Sequence, residues 1–140
     1  MSSEQLQERY SRQKDIVPAE RIAACKATVV GVGAIGRQVA SQLAAIGIPW
    51  MQLIDFDVVE ESNLASQGYF EDDLKRFKVH ATADICHQTN PKLELYTLNE
   101  RFKREMAIGN ILFCCVDKID IRKLIWQAVN KKVDFFCDGR

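Results

Sequence analysis

"ATVVGVGAIGRQVASQLAAIGIPWMQLIDFD" occupies Ala27–Asp57. Ala27–Gly33 is a short β-branched apolar run bounded by glycine, which is the pattern of a buried strand. Ile35, Val39, Leu43 and Ile46 then recur at helical spacing, and Gly47 with Pro49 stops that helix. Met51–Phe56 reads as a second strand. At the first strand-to-helix junction lies "GVGAIG", with Gly31, Gly33 and Gly36 in the spacing of a phosphate-binding loop. Gly31 allows a tight turn, Gly33 lets a phosphate approach the backbone beside Ala34, and Gly36 lets helix and strand pack closely. The helix start then offers free N–H groups and a positive dipole end to an anion. Asp55 follows Gly36 by 19 residues, close to the spacing of a ribose ligand.

The same alternation continues outward. A helix is expected over residues 72–88, stopped by "TNP" at Thr89–Pro91. Leu93–Leu98 alternates like a strand. Asn110–Asp117 is a continuous apolar run and so a central strand. Ile121, Leu124, Ile125 and Ala128 mark a further helix, and Val133–Asp138 a last strand. Before the first strand, residues 4–14 form an amphipathic helix and Arg21–Cys25 a short second one, giving an N-terminal helical segment over residues 1–26. The expectation is one α/β domain over residues 1–140. It is Rossmann-like, a mostly parallel sheet with helices on both faces and right-handed crossovers. Such sheets bind ligands at the carboxyl ends of their strands.

Composition narrows the classes. Lys plus Arg is 19 and Asp plus Glu is 19, so no net field draws the chain to nucleic acid or to anionic membrane. No apolar run approaches the ~20 residues of a membrane span. The polar N-terminus lacks the apolar centre of a signal peptide, which reads as cytoplasmic. Five cysteines without a C-x-x-C pair argue against a zinc clip or a disulfide framework, and read as small buried hydrophobes. His80 and His87 lack a metal-ligand partner and read as surface residues. Trp50 and Trp126 read as core or interface.

The segment after Asp55, "DFDVVEESNLASQ" (Asp55–Gln67), separates two nucleotide chemistries. An NAD-dependent oxidoreductase accounts for the glycine loop and Asp55 but has no use for the polar loop that follows. The loop resembles the D-x-D-x-V-x-x-S-N-L-x-R-Q signature of the ThiF/MoeB family, bacterial relatives of ubiquitin-activating enzymes. Four other motifs match in order: "RYSRQ" (Arg9–Gln13), "GVGAIG", "FKVHAT" (Phe77–Thr82) with Asn90 and Pro91, and "CCVD" (Cys114–Asp117). The resemblance runs from Arg9 to about Gly139.

It implies ATP-dependent adenylylation of the C-terminal glycine carboxylate of a ubiquitin-like or sulfur-carrier protein. By this match Asp55 holds the ribose, Asn63 lies near the phosphates and Lys78 supplies positive charge to the phosphoryl group. Asp117 holds Mg²⁺, and Arg12 reaches the triphosphate of a neighbouring subunit in a homodimer. Asp57 either touches the nucleotide or only orders the loop.

Three positions depart from the family pattern. Ser66 stands where the signature has Arg, Ala34 where many members have Gly, and Lys118 where an Asn often follows the strand-end Asp. Lys75, Arg76 and Arg37 are the nearby cations that remain. Family members usually continue for another hundred residues or so, so the chain reads as a part of such a protein or as one whose end is covered by a partner. A non-catalytic nucleotide- or partner-binding module of the same fold is the alternative. Plainer roles also stand: Lys78 as a solvated surface lysine, Asp117 as a helix N-cap, Arg12 as an ordinary surface arginine.

Overall fold

The computed structural model describes residues 1–139. Five strands, β1 (Lys26–Val30), β2 (Trp50–Ile54), β3 (Glu94–Leu98), β4 (Ile111–Cys114) and β5 (Phe135–Asp138), form one sheet in the order β3-β2-β1-β4-β5. Every neighbouring pair is parallel. Ala27 and Val29 pair in register with Met51 and Leu53, and this face is covered by α3 (Ala34–Ala45) and α5 (Lys78–Thr89). Val30 pairs with Ile54 and Cys114 on the opposite face, where Ile125 and Val129 of α6 (Ile119–Val129) complete a second apolar cluster. Helices therefore cover both faces, as the strand–helix alternation implies. No described helix is long and apolar enough to cross a membrane.

One polar network crosses the second face. Thr28 Oγ1 donates to Gln52 Oε1 at 2.8 Å and accepts from the Gly109 N–H at 2.9 Å, while Gln52 Nε2 donates to the Ala107 carbonyl at 3.0 Å. Buried polar groups are tolerated because each is partnered. The network also holds the β3–β4 connection, whose residues 100–102 border the cleft at the strand ends.

Several boundaries differ from expectation. The first helix, α1 (Ser3–Arg9), is capped by Ser2 and ends five residues early, and residues 10–16 form turns. The short helix α2 spans Ala19–Ala23. A short helix, α4 (Ser62–Gln67), stands where a polar loop was expected, ending on Gly68 in the left-handed conformation (φ 74°). The helix expected from residue 72 begins only at Lys78. Glu71–Asp73 is instead a 3-10 turn, Lys75 has φ 66°, and an antiparallel bridge joins Val58 to Phe77. Tertiary pairing here overrides a helix-compatible composition.

Candidate nucleotide-binding site

A cleft of about 640 Å³ opens at the carboxyl ends of the strands. Its floor is the junction of β1, β2 and β4. There the backbone ladder runs past the strand ends, with the Gly31 N–H donating to the Ile54 carbonyl and the Cys115 N–H to the Val30 carbonyl, both at 2.8 Å. Gly31 adopts φ 87°, a conformation that favours glycine. A Cβ on Gly36 would lie 1.7 Å from the Gly31 carbonyl oxygen, so helix and loop touch backbone to backbone. Gly33 is different. The atoms nearest a Cβ there would be those of the Gln67 carboxamide, at 3.6–3.7 Å, so no backbone closes its face toward the cleft.

Asp55 stands at the end of β2. Its Oδ2 accepts from the Val32 N–H at 2.9 Å and its Oδ1 from the Asp57 N–H at 2.8 Å. Burial pushes its carboxyl above the ordinary value, against the lowering pull of those two N–H groups. The carboxylate thus ties the glycine loop to the loop after β2 and still lines the cleft.

Lys78, the first residue of α5, is only 6% exposed, so it is not a solvated surface lysine. Its Nζ lies 3.7 Å from Asp57 Oδ2, and its N–H donates to the Asp57 carbonyl at 3.0 Å. Asp57 therefore orders the loop by pairing with the buried ammonium group. Both residues line the cleft, as do Ala34 and the exposed Asp117. The N-cap of α6 is Lys118, not Asp117, and no side chain caps that helix, so the carboxylate of Asp117 has no capping role.

Two expected residues lie elsewhere. Asn63 is on α4, its Oδ1 accepting from the Glu60 N–H at 2.9 Å, and it does not border the cleft. Arg12 is exposed on a turn beside the other end of α3, where Gln13 Nε2 donates to the Ile46 carbonyl at 2.8 Å. With 12 residues in α3, that end is about 18 Å from the glycine loop at 1.5 Å per residue.

Other site residues escaped sequence reasoning. Tyr69 is buried beneath the glycine loop, its hydroxyl donating to the Val32 carbonyl at 2.5 Å and bonded to Thr82 Oγ1 at 3.1 Å. Gln67, which closes the Asp55–Gln67 signature without a role read for it there, reaches the cleft from α4. The Gly68–Tyr69 pair after the signature, a helix-ending glycine and an aromatic residue, was the available signal. At the rim, the Arg101 guanidinium stacks 4.0 Å from the Phe56 ring centroid. Of the cations near position 66, Arg76 is paired with Asp73 and Asp84, Lys75 is exposed, and Arg37 is buried against Tyr69 and Phe70. Ser66 Oγ donates to the Ser62 carbonyl at 2.7 Å. Cys114 and Cys115 are pushed up to about 11 and about 12 by burial, which makes both poor nucleophiles. Among the described residues, no group of three or more His, Cys, Asp or Glu could hold a metal ion.

A parallel sheet in this order, with a glycine loop, a strand-end acid and a buried lysine facing one cleft at the strands' carboxyl ends, defines an α/β protein of the Rossmann type. The sequence pattern of the ThiF family matches residues 4–139, and the chain belongs to that family. It is 31% identical over 133 residues to a molybdopterin-synthase adenylyltransferase of Haemophilus influenzae, a match covering 87% of this chain and 55% of that protein. It is 38% identical over 132 residues to an adenylyltransferase and sulfurtransferase of Bos taurus, covering 86% and 29%. The chain thus spans about half or less of the curated relatives it matches. The crystal structure of E. coli tRNA N6-threonylcarbamoyladenosine dehydratase superposes with a TM-score of 0.83 at 20% identity, over 99% of this chain and 63% of that one. The dehydratase has also been solved in complex with ATP.

Proposed function

We propose that the chain is the nucleotide-binding part of an adenylyltransferase. It binds ATP and activates the C-terminal glycine carboxylate of a ubiquitin-like or sulfur-carrier protein. The observation that carries this reading is the convergence of the open Gly33 face, the buried Lys78 and the carboxylates of Asp55 and Asp117 on one cleft. The names of the two relatives above point the same way.

The chemistry asks for charge neutralisation and alignment, with little proton transfer. The carboxylate oxygen attacks the α-phosphorus, the bond to the bridging β-phosphate oxygen breaks, and pyrophosphate leaves with the electron pair. Gly33 and the start of α3 cradle phosphate with backbone N–H groups. Lys78, held between Asp57 and the cleft, offsets phosphate charge. Asp55 keeps lone pairs free for ribose hydroxyls, and the Phe56–Arg101 stack lies at the mouth beside it. Asp117 would hold Mg²⁺, a hard ion that takes one or two carboxylates together with phosphate oxygens and neutralises their charge. Arg12 lies about a helix length from its own glycine loop, which supports the reading, drawn from the family resemblance, that it serves the cleft of a second copy in a homodimer.

The test is exchange of labelled pyrophosphate into ATP by this chain with a carrier protein ending in glycine. Carrier-dependent exchange is expected, lost in Lys78→Met. No exchange above background, from a chain that binds ATP–Mg²⁺, would leave only the non-catalytic nucleotide-binding module. NAD binding in place of ATP would return the oxidoreductase.

A further inference from the structure

Among the described residues, two buried side-chain atoms lack a hydrogen-bond partner, Arg37 Nε and Gln67 Oε1. One is a donor and the other an acceptor. Both belong to the frame of the glycine loop. Arg37 is in α3, its own N–H donating to the Gly33 carbonyl at 3.1 Å. Its side chain lies against the Tyr69 and Phe70 rings, 5.0 and 5.6 Å from their centroids, and the residue is 7% exposed. Its Nη1 is 3.3 Å from where a Cβ on Gly68 would stand, and Gly68 directly follows Gln67. The Gln67 carboxamide in turn lies 3.6–3.7 Å from where a Cβ on Gly33 would stand, and the residue borders the cleft. Native proteins rarely leave buried polar groups unpaired, and such pairs point to something still to arrive.

We propose that Gln67 is a phosphate-positioning residue coupled to Arg37. When a nucleotide phosphate enters over Gly33, the Gln67 amide N–H donates to a phosphate oxygen, and Oε1 turns back to accept from Arg37 Nε. The terminal torsion of glutamine is broad, so the amide can turn about it. Both orphan atoms are then satisfied at once, and the buried guanidinium is linked to the anion through a polarised amide. Tyr69 and Phe70 hold Arg37 in place by their ring faces. This deepens the nucleotide reading and rests on it.

The experiment is calorimetric titration of the 140-residue chain with ATP–Mg²⁺ and, separately, with adenosine, for the wild type, Gln67→Met, Arg37→Lys and the double variant. Gln67→Met keeps length and bulk but cannot donate or accept. It is expected to weaken ATP roughly tenfold or more, the effect of losing one hydrogen bond to a charged group, and to leave adenosine unchanged. Its melting temperature without ligand should not fall, because the lost acceptor has no partner in the free chain. Arg37→Lys keeps the charge and removes Nε, so ATP weakens while adenosine does not, and the double variant loses less than the two single losses combined. Unchanged ATP affinity in Gln67→Met, a parallel loss of adenosine, or strictly additive losses would each overturn the coupling. A wild type that binds no ATP at all removes the nucleotide reading itself, and that outcome is read without any variant.

Discussion

Replacing Gly36 by alanine should damage the fold, whereas the same change at Gly33 should spare it and damage ligand binding. At Gly36 the new methyl group would stand 1.7 Å from the Gly31 carbonyl oxygen, 2.7 Å from the Gly31 carbonyl carbon and 3.2 Å from Cys115 Cβ. The nearest obstacles are backbone, so no rotamer relieves them. The start of α3 must retreat until that contact exceeds 3.0 Å, pulling Ala40 and Ala44 out of the apolar cluster they share with Val29 and Met51. Overpacking usually costs 1–3 kcal/mol, and a rigid backbone clash belongs at or above the top of that range, about 3–5 kcal/mol. A domain of this size then melts roughly 10–20 °C lower. At Gly33 the nearest neighbour of the same methyl group is the flexible end of Gln67, at 3.6 Å, and φ is −77°. Stability should stay within about 0.5 kcal/mol of the wild type. The methyl group instead fills the space a phosphate would use, and ATP should bind at least about tenfold more weakly. Thermal unfolding by circular dichroism and titration with ATP–Mg²⁺ read the two effects separately. A Gly36→Ala protein that melts with the wild type would refute the packing argument. A Gly33→Ala protein with normal ATP affinity would refute the phosphate cradle.

Four more outcomes are expected. Asp57→Asn strands the buried Lys78 ammonium; since the Asp57 side chain is 49% exposed, water screens the pair and the loss should be only about 1 kcal/mol. Lys78→Met removes charge and partner together and should cost less, as urea midpoints will show. Burial raises Asp55 in the folded chain, so between its unfolded and folded pKa values the unfolded state releases the proton first, and stability falls as pH rises through that window. The wild type should therefore lose stability relative to Asp55→Asn from pH 4 upward (about the ordinary carboxylate value), and parallel melting curves against pH would contradict the assignment. Asp117→Ala should leave the melting temperature unchanged, because α6 has no side-chain cap. It should weaken ATP in magnesium but not in a chelator, and equal weakening in both would remove Asp117 as the metal ligand.

How much could be read in advance depends on the range of the forces involved. Gly31, Gly36 and Asp55 were legible because their roles follow from short-range geometry: a turn, a close helix approach and a carboxylate at a strand end. The alternation of β-branched runs with helical spacing likewise announced a parallel α/β sheet. Residues 71–77 were not legible. Their charged composition suits a helix, yet the bridge from Val58 to Phe77 and the turn at Lys75 exclude one. The α4 helix was missed because six residues without a capping side chain are too short to stand alone; it persists by leaning on α3 and on the Gly68 turn.

The sequence by itself determined the class of fold and the end of the sheet where the cleft lies, because apolar periodicity and glycine spacing are local properties of the chain, and its ordered series of motifs marked the family. Only the tertiary structure decided the strand order β3-β2-β1-β4-β5, the pairing of Lys78 with Asp57, the support of the glycine loop by Tyr69, and the two unpaired atoms of Arg37 and Gln67. Each of these joins residues distant in sequence or on separate elements, and burial is what makes them matter. A charge or a hydrogen-bond donor costs little in water, but once enclosed it must find its partner in the chain or in the ligand.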